Sequence, residues 1–236
     1  MTSVPAAAPP AIVATALTKS YGPSVALAGV DFRVTPGESV AIMGASGSGK
    51  TTLLHCLAGI ITPDSGSVSL ATATGPLEIT TLDEAGRSRL RREAFGFVFQ
   101  QGLLLPELTA IENVALPLML TGTDRRAAEQ TAAMWLAALG LAGYETRRIG
   151  QLSGGQAQRV AIARAQTTGA AVVFADEPTG ALDSQTSAEV MDALIRSTTD
   201  RGRSLVVVTH DETVAARCLR VLRLADGRIV DEVSAR

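Results

Sequence analysis

The sequence predicts an α/β fold, with a mostly parallel sheet, an antiparallel β region on its N-terminal side and a helical insertion in its middle. Three observations carry this prediction. The runs Glu38–Met43, Ala171–Ala175 and Ser204–Thr209 are apolar without alternation, as strands covered on both faces are. The first of them leads directly into Gly44-Ala-Ser-Gly-Ser-Gly-Lys-Thr51, and that loop leads into a helical stretch. Across residues 101–152 the strand pattern gives way to helical spacing.

Taken in order, Met1–Pro10 is rich in alanine and proline and is expected to be a loose tail, leaving one domain over 11–236. Residues 11–18 and 25–34 read as strands about a turn at Tyr21-Gly-Pro23, with Val30, Phe32 and Val34 alternating. After a turn at Thr35-Pro-Gly37 comes the first buried strand, then the glycine loop. The helix that follows places Leu53, Leu54, Leu57 and Ala58 on one side and ends near Gly59. Residues 63–81 are rich in turns, with one strand at Ser67–Ala71. An arginine-laden helix is expected near Arg87–Glu93, and Phe95–Phe99 is a further strand.

The insertion spans about 101–156. Within it Ala128, Ala132, Trp135, Leu136 and Leu139 recur with helical period, and Gly140 provides a stop. Trp135 is read there as core. The two later buried strands follow, and Leu219–Leu224 with Arg228–Val233 about Asp226-Gly227 reads as a closing hairpin.

Composition narrows the function classes. The 236 residues are 46% hydrophobic with a net charge of -2, which allows one large domain and gives no basic patch for nucleic acid. Of the 21 basic residues only Lys19 and Lys50 are lysine. In a chain that otherwise uses arginine, Lys50 keeps the compact ammonium that a phosphate loop needs. Cys56 and Cys218 form no spaced framework and are expected as buried thiols. The apolar stretches are too short to span a bilayer, so any membrane part is expected on another chain.

Two motifs carry chemistry on their own. In the glycine loop, Gly44, Gly47 and Gly49 let the backbone N–H groups turn toward phosphates, with the following helix adding its positive end. The phosphate-binding set is Gly44, Ala45, Ser46, Gly47, Ser48, Gly49, Lys50, Thr51 and Thr52. Lys50 is expected on the β- and γ-phosphates, and the Thr51 hydroxyl on Mg²⁺. Asp176 and Glu177 end the apolar run Val172–Ala175 ahead of Pro178. Asp176 suits a Mg²⁺ shell, and Glu177 suits a general base acting on water.

With these in place, Leu152-Ser-Gly-Gly-Gln156, continuing as Gln158-Arg-Val-Ala-Ile-Ala-Arg164, is similar to the signature segment of ABC transporter ATPases, and the chain resembles that family over nearly its whole length. Ser153 can cap the following helix. The resemblance implies ATP as substrate, Mg²⁺ as cofactor and a head-to-tail homodimer in which Ser153, Gly155 and Gln156 of one subunit reach the γ-phosphate held by the other. It implies Gln100 as the glutamine linking the Mg²⁺ and water site to the insertion; of the doublet Gln100-Gln101, Gln100 directly follows the strand. It implies His210 as the γ-phosphate sensor, Asp183 as the residue crossing the dimer interface and Tyr21 as the aromatic that stacks on adenine. His55 is read as packed or superficial. Ala181, where related chains often carry Asn, and Gln166, where leucine is common, depart from the pattern without removing a catalytic group.

Residues 100–117, with Asp176–Ser184, resemble the lipoprotein-releasing and macrolide-efflux group in particular. That likeness implies a separate integral-membrane permease, no nucleic acid, and a cytoplasmic position on the inner face of the membrane. A non-transport ABC ATPase acting in cell-wall or cell-division regulation shares every one of these motifs. Soluble ABC proteins of DNA or ribosomes usually carry a second ATPase half or a coiled-coil insertion, and a phosphate-loop kinase does not need residues 152–156.

Overall fold

The computed structural model describes residues 11–100 and 102–234; the expected tail at 1–10 and Gln101 lie outside them. Among the described residues, β1 (Ile12–Tyr21), β2 (Ser24–Val34), β4 (Ser65–Thr72) and β5 (Gly75–Glu78) form an antiparallel sheet in the order β2-β1-β4-β5. A second sheet has the order β10-β9-β3-β8-β7-β6. It is built from β3 (Ser39–Met43), β6 (Phe95–Phe99), β7 (Val172–Asp176), β8 (Ser204–Val208), β9 (Arg220–Ala225) and β10 (Arg228–Ser234). All its pairings are parallel except the hairpin of β9 with β10, whose turn residues Asp226 and Gly227 both take positive φ.

The unbroken apolar runs are explained by what each face meets. In β3, β7 and β8 the residues Val40, Ile42, Val172, Phe174, Val206 and Val208 enter the core shared with the first sheet and α1 (Lys50–Leu57). Their neighbours Ala41, Met43, Val173, Ala175, Leu205 and Val207 enter a second core, shared with the insertion and the later helices. Beyond its first residue, a strand covered twice leaves little room for a polar side chain.

Several sequence readings need correction. β1 runs on to Tyr21 rather than ending near 18. It survives a bulge at Ala16, where φ is 49° and the N–H donates to Asp31 Oδ1 at 2.8 Å. β5 was not expected; it is four residues long and carries Gly75 and Pro76, so its pairing with β4 is legible only in three dimensions. The insertion is not helical throughout: helices occupy α3 (Ala110–Leu120) and α4 (Arg125–Ala138). Residues 102–109 form a loop wound around the buried Asn113, whose amide bonds the backbone of Leu105 and Thr109 at 2.8–3.0 Å. Trp135 is core as expected, with the Arg201 guanidinium 4.1 Å above its ring.

The arginine-laden helix, α2 (Glu84–Glu93), starts earlier than expected because the Asp83 side chain accepts from Gly86 N. α5 (Gly154–Gln166) is followed by a long helix that the sequence did not reveal, α6 (Ser184–Thr199). Gln166 at the end of α5 is fully buried and satisfied: its Nε2 donates to Thr198 Oγ1 at 2.7 Å and its Oε1 accepts from Arg203 at 3.0 Å. A polar residue in a leucine's place is thus paid for by a local network. Cys56 and Cys218 are free and buried, and burial pushes their thiols up to about 11 and about 12 respectively.

Candidate functional site

The strand order places the chemistry. β3, β8, β7 and β6 are parallel neighbours, so their carboxyl ends lie along one edge of the sheet. The register pairs Ile42 with Val208, Val208 with Asp176, and Asp176 with Phe99. The glycine loop, His210, Glu177 and Gln100 follow these strand ends directly, and a crevice at such an edge is where open α/β sheets bind ligands.

The crevice is a cleft of about 720 Å³ lined by Tyr21, Val25, the loop from Gly44 to Thr52, Glu177 and His210. Its floor requires glycine. A Cβ at Gly44 would fall 2.2 Å from Leu224 O, and one at Gly49, whose φ is 103°, 2.1 Å from Ala26 O. Lys50, 9% exposed, folds over the loop and donates to Gly44 O at 2.9 Å and Ala45 O at 2.8 Å. Among the described residues the buried Ser48 hydroxyl has no partner, and it does not line the cleft. A cationic head held only by neutral carbonyls and a helix start fit an anionic ligand.

Beside the loop, the Glu177 residue is held in the left-handed region at φ 47° while its N–H donates to Val208 O at 2.9 Å. Its carboxylate lies 2.8 Å from His210 Nδ1 and accepts from the Thr209 hydroxyl at 3.3 Å. Burial raises the Asp176 carboxyl above its ordinary range, with His55, a hydrogen bond from Thr51 and Lys50 pulling it back and Glu177 adding to the rise. Thr51 and Asp176 are hard oxygen donors of the kind Mg²⁺ takes. Gln100 joins Thr51, Asp176 and Glu177 around an adjoining cavity of about 340 Å³, and its amide lies against Gly180, where a Cβ would come 2.9 Å from Nε2.

The remaining candidates do not reach this cleft. Ser153 caps α5 in a reciprocal pair: its hydroxyl accepts from Gln156 N at 3.3 Å and its own N–H donates to Gln156 Oε1 at 2.9 Å. Ser153 and Gly154 are exposed, while Gly155 is buried because a Cβ there would sit 2.4 Å from Thr186 Cγ2. Asp183 caps α6, accepting from Gln185 N and Thr186 N at 3.1 and 2.9 Å. The signature residues and Asp183 therefore form a second locus on adjoining helix starts.

Sequence reasoning missed several supporting groups. Thr209 was passed over beside the more conspicuous His210. His55 is half-buried and faces Asp176; burial lowers its pKa and the carboxylate opposes that shift. Gln158 donates to Phe99 O at 2.9 Å, and the Arg164 guanidinium donates to Leu103 O at 2.8 Å and Gly102 O at 2.6 Å, tying α5 to the loop after β6. Their appearance within the signature-like segment was the available signal.

The family model for ABC transporters matches residues 27–180. The chain belongs to the ABC transporter family. A macrolide export ATP-binding/permease protein MacB of Rhodopseudomonas palustris is 48% identical over 206 residues, covering 87% of this chain and 31% of the relative. The lipoprotein-releasing system ATP-binding protein LolD of Geobacter metallireducens is 45% identical over 218 residues, covering 91% of this chain and 95% of the relative. The chain thus spans about a third of the macrolide relatives and nearly all of LolD. Among solved structures, the dimeric post-hydrolysis state of the ATP-binding cassette MJ0796 bound to ADP and phosphate aligns with a TM-score of 0.85 at 37% identity, covering 95% of this chain and 99% of that one. The two-sheet α/β architecture with a helical insertion is that of an ABC ATPase cassette. No helix among the described residues is long and apolar enough to cross a membrane.

Proposed function

We propose that the chain hydrolyses ATP in a head-to-tail homodimer and thereby drives a separate membrane permease of the lipoprotein-releasing and macrolide-efflux kind. The observation that carries the reading is the division of the motifs. Lys50, Glu177 and His210 meet in one cleft, while the exposed Ser153 turn serves nothing there. Relatives named ATP-binding/permease proteins and an ATP-binding protein of matching length support a permease partner.

In this reading the loop amides from Gly44 to Thr52 hold the phosphate chain, Lys50 exchanges its carbonyl partners for phosphate oxygens, and Tyr21 stacks on adenine. Thr51, Asp176 and Gln100 are the residues that would hold Mg²⁺. The ion, when bound, neutralises charge shared by the β- and γ-phosphates. Glu177 accepts a proton from the attacking water as its oxygen bonds to the γ-phosphorus and the bond to the β-phosphate oxygen breaks, leaving ADP and phosphate. His210, 2.8 Å from that carboxylate, orients it and registers the γ-phosphate. Ser153, Gly155 and Gln156 of the second copy close over the phosphate, with Asp183 at the interface. The site of action is the cytoplasmic face of the membrane, where the permease holds the pair. The test is sedentary and direct: Glu177→Gln loaded with ATP should sediment as a dimer, and a strictly monomeric species at high concentration would refute the shared site.

A further inference from the structure

Lysine is used at two positions in this chain, and only one of them is the phosphate loop. The other, Lys19, lies two residues before Tyr21 at the end of β1. Its ammonium sits 5.8 Å from the Tyr21 ring centroid, within the range at which a cation is attracted to an aromatic face. The same ammonium donates to Asp64 Oδ1 at 2.7 Å. Asp64 uses its other oxygen to accept from Ser20 N, also at 2.7 Å, and its own N–H donates to Thr18 O at 2.9 Å. Three successive residues leading to Tyr21 are therefore bound by one aspartate.

That aspartate belongs to the turn between α1 and β4, so it follows the helix that begins at Lys50. Tyr21 is 50% exposed and lines the same cleft as the glycine loop. Asp64 thus connects the exit of the phosphate-binding helix to the strand end that carries the aromatic. One face of the ring is taken by Lys19, which leaves the other for a planar ligand.

We propose that Lys19 and Asp64 are positioning residues for the purine: as a clamp they fix the Tyr21 ring at a set distance from the phosphate loop and direct its free face to the base. The proposal rests on the reading that Tyr21 stacks on adenine, and the test separates the two. Calorimetric titration of the full chain with ADP and with pyrophosphate compares a ligand bearing the base with one that engages the loop alone. Lys19→Met and Asp64→Asn should each raise the ADP dissociation constant about fivefold while leaving that for pyrophosphate unchanged. In a Tyr21→Ala background Asp64→Asn should add nothing further, since coupled residues are not additive. Equal losses for both ligands, unchanged ADP affinity, or full additivity with Tyr21→Ala would overturn the clamp. If Tyr21→Ala weakens ADP while Asp64→Asn does not, stacking stands and the clamp falls. If Tyr21→Ala leaves ADP unaffected, stacking falls and the clamp with it.

Discussion

Both ends of the main sheet carry polar groups that are wholly or partly buried, yet they pair them differently. At the amino ends of the strands, Glu38, Ser39 and Ser204 are each paired within the chain. Glu38, just before β3, receives Arg220 Nε at 2.6 Å and both the N–H and hydroxyl of Thr35 at 2.8 and 2.9 Å. Ser204 donates to Thr35 O at 2.8 Å, and Ser39 accepts from Leu219 N at 3.0 Å. At the carboxyl ends the groups line the cleft or its adjoining cavity: Lys50 has only neutral partners, Asp176 is raised by burial although Thr51 donates to it, and Glu177 stands in a left-handed backbone. The kind of partner and the exposure to a cleft, more than burial, separate the residues that hold the fold from those poised for a ligand.

That contrast can be broken by substitution, and the largest effect falls at the cleft. Glu177→Gln should reduce the turnover of ATP about 10³-fold with the melting temperature kept, as measured by phosphate release and calorimetry. An unchanged turnover would remove Glu177 as the base. At the other end, Glu38→Gln should cost about 2 kcal/mol of unfolding free energy and leave nucleotide affinity intact, because a guanidinium only 10% exposed loses one of its two carboxylates and keeps Glu232 at 3.2 Å. Burial alone would raise the Glu38 carboxyl, but Arg220 and Thr35 hold it below the usual glutamate value of 4.5. Its contribution is therefore present above that value and is lost as pH falls through the lowered one. Denaturation titrations should show this acid limb flattened in Glu38→Gln.

Smaller effects sharpen the same division. Lys50→Ala should weaken ATP binding about a hundredfold without lowering stability in the absence of nucleotide, read by equilibrium titration. Ser153→Asn keeps a competent helix cap, so the melting temperature should hold. Turnover should nevertheless fall on the order of tenfold, with binding of ATP to the isolated chain unaltered. A loss confined to that binding step would place Ser153 in its own subunit's cleft instead.

Much of this was legible because the sequence states it locally. The glycine spacing before Lys50, the apolar run ending at Asp176-Glu177 and the Asp226-Gly227 turn each encode their own geometry. What was hidden depends on partners distant in sequence. α6 was missed because it opens with Ser184-Gln-Thr-Ser187 and shows only a narrow stripe of Val190, Met191 and Leu194. The loop at 102–109 looked helical because Asn113, which supplies its backbone with an alternative set of bonds, lies outside it. The signature-like segment marks Arg164 out, but not the carbonyls at 102 and 103 that it grips, which lie about sixty residues away.

Gly155 has a consequence beyond its own helix. With Thr186 filling the space where its side chain would be, the starts of α5 and α6 lie in direct contact, closer than any larger residue would allow. An approaching surface would therefore meet both helix beginnings together, at a spacing that this glycine keeps short.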